Sequence, residues 1–176
     1  MKRHVALVGF MAAGKSTIGR KLARRLGCAF FDTDTLIAHE HGTVASIFEH
    51  EGEAAFRGYE RATLSDLFAR GETGVVALGG GAVTDPQTRA LLEDRAHRIF
   101  LKVSPEQVFN RLQHSREVRP LLGRDATLER IRELYHARIP LYARADFTVH
   151  AERRSAHEIL DDILQWLNEN RIRLSP

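Results

Sequence analysis

The sequence predicts an α/β fold of three layers, a parallel sheet with helices on both faces. Three observations predict it. Five short apolar runs punctuate the chain: Val5–Val8, Ala29–Phe31, Val75–Leu78, Ile99–Val103 and Phe147–Val149. Longer segments with apolar residues at three- and four-residue spacing separate them. The first run leads through a glycine-containing turn directly into one of those segments. Strand–helix alternation of this kind gives parallel strands buried on both sides. A chain of 176 residues suits one domain, residues 1–176, with a sizeable core.

The elements follow in order. After Val5–Val8 comes a helix marked by Ile18, Leu22 and Leu26, stopping at Gly27. After Ala29–Phe31 come polar helical segments and then Leu64, Leu67 and Phe68, stopping at Gly71. Asp85-Pro86 and Ser104-Pro105 each place a capping side chain before a proline at the first helical position. Ser104 with Gln107 also fits a capping box. The segment from His114 to Asp125, with Pro120 and Gly123, is poor in pattern and reads as a mobile lid, about 114–125. Pro140 is expected to kink or end a helix. Ile159, Ile163, Trp166 and Leu167 mark the last helix.

Composition narrows the function. No apolar run approaches the roughly 20 residues of a membrane span, and Val5–Val8 is too short for a signal peptide. The single cysteine, Cys28, forms no internal disulfide and has no CxxC partner, so it reads as a small buried apolar residue in a chain of the reducing cytoplasm. Net charge is +3, and the basic side is nearly all arginine, with only four lysines. Arginine suits planar, bidentate capture of carboxylate and phosphate. The arginines are scattered and no stacking aromatics interleave with them, so no nucleic-acid or membrane partner is expected.

Gly9-Phe10-Met11-Ala12-Ala13-Gly14-Lys15-Ser16 matches GxxxxGK[ST], between an apolar strand and an amphipathic helix. Its glycines let successive N–H groups turn inward on phosphate oxygens, and the helix start adds its positive dipole end. Lys15 reaches the β- and γ-phosphates, the Ser16 hydroxyl can ligate Mg²⁺, and Thr17 offers a hydroxyl near the α-phosphate. The motif points to a nucleoside triphosphate and is silent on what receives the phosphate.

Other signals are weaker one by one. Asp32 and Asp34 follow the second strand, where strand ends share a crevice with the phosphate loop. Asp32 can hold Mg²⁺ through water and Asp34 can take a proton from an attacking hydroxyl; helix capping explains either residue about as well. Arg57 and Glu60 share a helix face, as a ligand group or as a solvated ion pair. Gly79-Gly80-Gly81 suits close approach of a ligand to backbone, or a plain turn. Arg119 in the lid can close over phosphates, and Arg138 can be presented where Pro140 breaks the helix.

Taken together and in this order, these stretches resemble shikimate kinase over nearly the whole chain. The matching residues are Gly14-Lys15-Ser16-Thr17, Asp32-Thr33-Asp34, Phe56-Arg57 with Glu60, Gly79-Gly80-Gly81, Arg119-Pro120-Leu121-Leu122, and Arg138 with Pro140-Leu141-Tyr142. The resemblance implies the fold of the nucleoside monophosphate kinases, with a five-stranded parallel sheet, and transfer of phosphate from MgATP to shikimate. It implies that Asp34, Arg57, the Gly79–Gly81 backbone and Arg138 hold shikimate, with the arginines on its carboxylate and Asp34 on its ring hydroxyls. ATP falls to the loop residues Ala12 to Thr17, with Ala13 among them, to Arg119 from the lid, and to Arg111 and Arg153 near adenine, Arg154 being the alternative. Ser16 and Asp32 organise Mg²⁺. The catalytic set is Lys15, Asp34 and Arg119, in a chain expected to act as a monomer.

The competing expectations are few. A gluconate or nucleotide kinase of the same build would lack the Phe-Arg and Arg-Pro-Leu-Leu pair. A GTPase switch would carry Asn-Lys-x-Asp, which is not in the sequence, and a motor ATPase would need a larger chain. A nucleotide-binding module without catalysis is the remaining class, and activity separates it.

Overall fold

The structure, a computed structural model, describes residues 4–114 and 127–174. The lid segment, apart from His114, and Arg119 within it lie outside the described residues.

Five strands form one parallel sheet: β1 (His4–Val8), β2 (Ala29–Asp32), β3 (Gly74–Ala77), β4 (Ala96–Lys102) and β5 (Phe147–His150), in the order β2-β3-β1-β4-β5. Central β1 pairs Leu7 with Ala77 on one side and Ile99 on the other. Every residue of β1 and β3 is buried, so both faces of the sheet are covered. Between the strands run α1 (Lys15–Leu26), α2 (Thr33–His41), α3 (Val44–His50), α4 (Gly52–Ala69), α5 (Pro86–Arg95), α6 (Pro105–Gln113), α7 (Leu128–Tyr142) and α8 (Ala156–Glu169). Helix α1 packs on β1, β2 and β3 and meets α8, while α5 packs on β4 and meets α4. None of these helices is long and apolar enough to cross a membrane.

Side chains set the ends of the helices much as the sequence predicts. Asp85 and Ser104 cap α5 and α6 ahead of their prolines, and Gly27 ends α1 in the left-handed conformation. Two expectations need correction and one is narrowed. The Ser104–Gln107 capping box is half made: Ser104 accepts from the Gln107 amide, but Gln107 Oε1 is buried without a hydrogen-bond partner. The reciprocal box lies instead at Ser155 and Glu158, at the start of α8. Pro140 does not end α7, which continues to Tyr142: the proline leaves one helical hydrogen bond unmade, but the last turn still closes from Ala143 N–H to Ile139 O. Cys28 is half-buried at the edge of the core, not enclosed in it, and burial pushes its thiol pKa up.

Two apolar clusters hold the fold. The larger surrounds the sheet, with Val5, Leu7, Leu22, Ile99, Leu101 and Ile163 fully enclosed. The smaller is separate: Ile37 of α2, Ile47 of α3 and Phe56 of α4, flanked by Val44, Phe48 and Tyr59. Helices α2 to α4 therefore carry a core of their own, beside the sheet. Leu7, with no exposed surface at the centre of the larger cluster, sets the scale of that packing. Leu7→Ala is expected to destabilise the chain by about 2–5 kcal/mol, read from urea unfolding; a smaller loss would mean that the site collapses around the missing atoms.

Candidate active site

The phosphate loop is shaped by backbone constraint. Gly9 has φ 144°, and a Cβ there would lie 2.7 Å from Leu101 O on β4, so no side chain fits. Gly14 (φ 97°) caps α1 without a side-chain hydrogen bond, which leaves the first-turn amides for an anion. Lys15 is buried and spans the loop, its Nζ donating to Gly9 O at 2.9 Å and Phe10 O at 2.8 Å. Ser16 Oγ donates to Asp32 Oδ2 at 2.5 Å, while Asp32 Oδ1 accepts from Thr35 N–H at 3.2 Å and caps α2. Capping is thus a role of Asp32 and not of Asp34, which lies in the first helical turn.

Three cavities lie in series along the carboxyl ends of the strands. The loop cavity, about 200 Å³, is lined by Ala12, Gly14, Lys15, Ser16, Thr17 and Asp32, with Met11, Asp34, Leu78 and Gly80. Ala13 is not among them: it is buried, and its amide donates to Phe10 O within the loop. A larger cavity of about 550 Å³ holds Arg111 and Arg153 together, with Glu106, Gln107, Asn110, His114 and Glu152. Arg111 ties it to the loop by donating to Ala12 O at 2.6 Å. Arg154 turns the other way, pairing with Asp162 at 2.6 Å. The geometry therefore separates the two adjacent arginines.

The third cavity, about 70 Å³, is lined by Asp34, Arg57, Arg138 and the three glycines 79–81, with Val44, Phe48, Phe56 and Met11 as its apolar wall. Asp34, Met11 and Gly80 line both this cavity and the loop cavity. The glycines are needed for three different reasons. A side chain at 79 would collide with Glu60 Oε1 and lie 2.7 Å from Asp34 Oδ1; at 80 it would crowd Met11 N at 3.1 Å; at 81 it would strike the Arg57 guanidinium. The middle residue of Asp32-Thr33-Asp34 fastens this run, since Thr33 Oγ1 accepts from Gly79 N–H at 3.1 Å.

Arg57 and Glu60 are not a solvated pair. Arg57 is 12% exposed at its side chain and Glu60 1%, and Arg57 also donates to Glu53 at 3.0 Å. Burial works against the Arg57 charge, but the Glu60 and Glu53 carboxylates more than offset it and raise its pKa. Burial pushes the Glu60 carboxyl up to about 7, helped by the nearby Asp34 charge and opposed by Arg57 and Arg138. Arg138 is buried on α7, 5.9 Å above the Phe10 ring, and donates to Gly80 O at 3.4 Å. It shares one helix face with Ile131, Tyr135 and Tyr142, all buried, so the guanidinium occupies a position that periodicity assigns to the core.

A raised carboxyl pKa means that the folded chain binds the Glu60 proton more tightly than the unfolded one, and stability falls as pH rises from about 4.5 through about 7. The fall is expected to be at most roughly 3 kcal/mol. Urea unfolding of Glu60→Gln across this range should show a flatter profile; an unchanged slope would assign the proton to another group.

The chain matches the family model described as SKI: Shikimate kinase over residues 11–168. Among curated relatives it is similar to shikimate kinase of Dechloromonas aromatica, 41% identical over 94% of this chain and 88% of that one. It is also similar to that of Thermus thermophilus, 39% identical over 93% and 89%. Among solved structures, shikimate kinase from Acinetobacter baumannii in complex with shikimate superposes with a TM-score of 0.86 at 35% identity, covering 98% of this chain and 97% of that one. Shikimate kinase from Aquifex aeolicus does so at 0.82, with 33% identity over 96% and 98%. Deoxyadenosine kinase from M. mycoides shares the fold alone, at 17% identity and 0.63. By family model, sequence and architecture the chain belongs to the shikimate kinase family.

Proposed function

We infer that the chain transfers the γ-phosphoryl group of ATP to a ring hydroxyl of shikimate, giving ADP and 3-phosphoshikimate on the route to chorismate and the aromatic amino acids. The observation that carries this reading is the position of Asp34, which lines both the phosphate-loop cavity and the cavity with two guanidinium groups. A hydroxyl held there lies between its proton acceptor and the phosphate to be transferred.

Each residue then has a task. Gly14, Ser16 and Thr17, with the Ala12 backbone, hold the phosphates on open amides. Lys15 balances their charge. Arg57 and Arg138 clamp the shikimate carboxylate from two sides, the fork geometry favouring a planar anion. The Gly79–Gly81 backbone, Phe48 and Phe56 receive the ring. Arg111 and Arg153 flank adenine. Arg119, from the segment outside the described residues, supplies positive charge over the transferring group. Asp34 orients the acceptor hydroxyl and takes its proton as the oxygen–phosphorus bond forms.

Mg²⁺ fits the donors at the loop. The Ser16 hydroxyl and the Asp32 carboxylate are hard oxygen ligands side by side at the loop cavity. The ion would neutralise charge on the phosphate oxygens when bound. In the same reading the chain works as a cytoplasmic monomer. The single cysteine, which has no internal partner for a disulfide, supports the reducing compartment.

ADP release with MgATP is expected only when shikimate is added, not gluconate or nucleoside monophosphates. Release with another acceptor would overturn the roles of Arg57 and Arg138, and no release with any would leave a binding module. Asp34→Asn should keep nucleotide affinity and lose about 10²- to 10⁴-fold in kcat; near-normal turnover would remove Asp34 from catalysis. Arg57→Ala should raise the shikimate KM about 10- to 100-fold. Collapse of nucleotide binding instead would sink the clamp assignment.

A further inference from the structure

Tyr142 is a polar residue that the roles above leave unused. It is 1% exposed and lies one helical turn beyond Arg138 on the buried face of α7. Its ring stacks on Phe100 of β4, with centroids 5.2 Å apart and planes at 23°, so the ring has one settled orientation. Its hydroxyl donates to Gly80 O in a short bond, and Arg138 reaches the same carbonyl at 3.4 Å. Packing alone would be served by phenylalanine, so the hydroxyl asks for its own account.

The peptide it holds has little stiffness of its own. Three successive glycines impose little preference of their own, so a Gly80–Gly81 peptide could rotate at low cost. All peptides in the described chain are trans, and a trans unit points its C=O and the following N–H in opposite directions. With Gly80 C=O drawn toward α7, Gly81 N–H is directed away from α7, and Gly81 lines the cavity beside Arg57.

We propose that Tyr142 is a positioning residue of the acceptor site: its buried hydroxyl locks the Gly80–Gly81 peptide so that Gly81 N–H stands ready for the acceptor. This rests on the acceptor assignment made above. Gly80 also lies against Met11 of the phosphate loop, so the same bond fixes the spacing between loop and acceptor. Burial pushes the phenol up to about 12, which keeps the donor protonated at any working pH.

Tyr142→Phe tests this, since it removes one oxygen and keeps the ring on Phe100. Steady-state kinetics with MgATP and shikimate, ADP titration and thermal melting are measured side by side. The expected result is a shikimate KM raised about 5- to 20-fold, the worth of one buried hydrogen bond. ADP affinity should stay near the parent value, and the melting temperature should fall by no more than about 2–4 °C, the share of one hydrogen bond. An unchanged shikimate KM overturns the proposal. So does a parallel loss of shikimate affinity, ADP affinity and melting temperature, which would make Tyr142 a structural residue only. Failure of the acceptor assignment is seen separately, as parent protein that releases no ADP in response to shikimate.

Discussion

Two guanidinium groups and two carboxylates converge on a stretch of backbone that carries no side chains, and the rest of the site is arranged around that convergence. Buried charges are tolerable only when paired, and Arg57 is paired by Glu60 and Glu53. Pairing alone would give a closed salt bridge. Gly79 and Gly81 change that, because they let the charged groups press against the main chain and leave a small cavity that Arg57, Arg138 and Asp34 all face. The parallel sheet contributes by bringing the end of β3, where the glycines begin, alongside the phosphate loop at the end of β1.

How much of this was legible follows from what kind of information each feature needs. The phosphate loop was legible because its residues fall in one short stretch, with Gly9 and Gly14 at positive φ and Lys15 and Ser16 directly after the second glycine. The strands were legible because burial on both faces leaves unbroken apolar runs, as in Val5 to Val8. The pairing of Arg57 with Glu60 was legible as spacing but not as burial, since three-residue spacing is the same on a wet face as on a dry one. Only the resemblance to a family separated the two. Thr33 and Tyr142 stood in the matched motifs without a role for a different reason: both act on the glycine run through contacts more than forty residues away along the chain.

Pro140 shows a local rule yielding to the fold. A proline inside a helix forfeits a hydrogen bond and crowds the preceding turn, yet α7 contains Pro140 and closes its last turn after it. The helix continues far enough for Tyr142 to reach Gly80 O. The adjacent pair Arg153 and Arg154 makes a complementary point. The two are indistinguishable by sequence, and the choice is made by Asp162 on α8, which claims Arg154 and leaves Arg153 to the cavity.

The small second core of Ile37, Ile47 and Phe56 has a consequence for divergence within the fold. Helices α2 to α4 carry Asp34, Arg57 and the apolar wall of the third cavity, and they are held together by residues separate from the cluster around the sheet. Substitutions among Ile37, Ile47 and Phe56 act first on the walls of the third cavity, whereas Leu64, Leu67 and Phe68 of the same α4 belong to the cluster around the sheet and join the two. A change of acceptor is therefore least costly at α2, α3 and the start of α4, and costlier farther along α4, where the side chains reach the sheet.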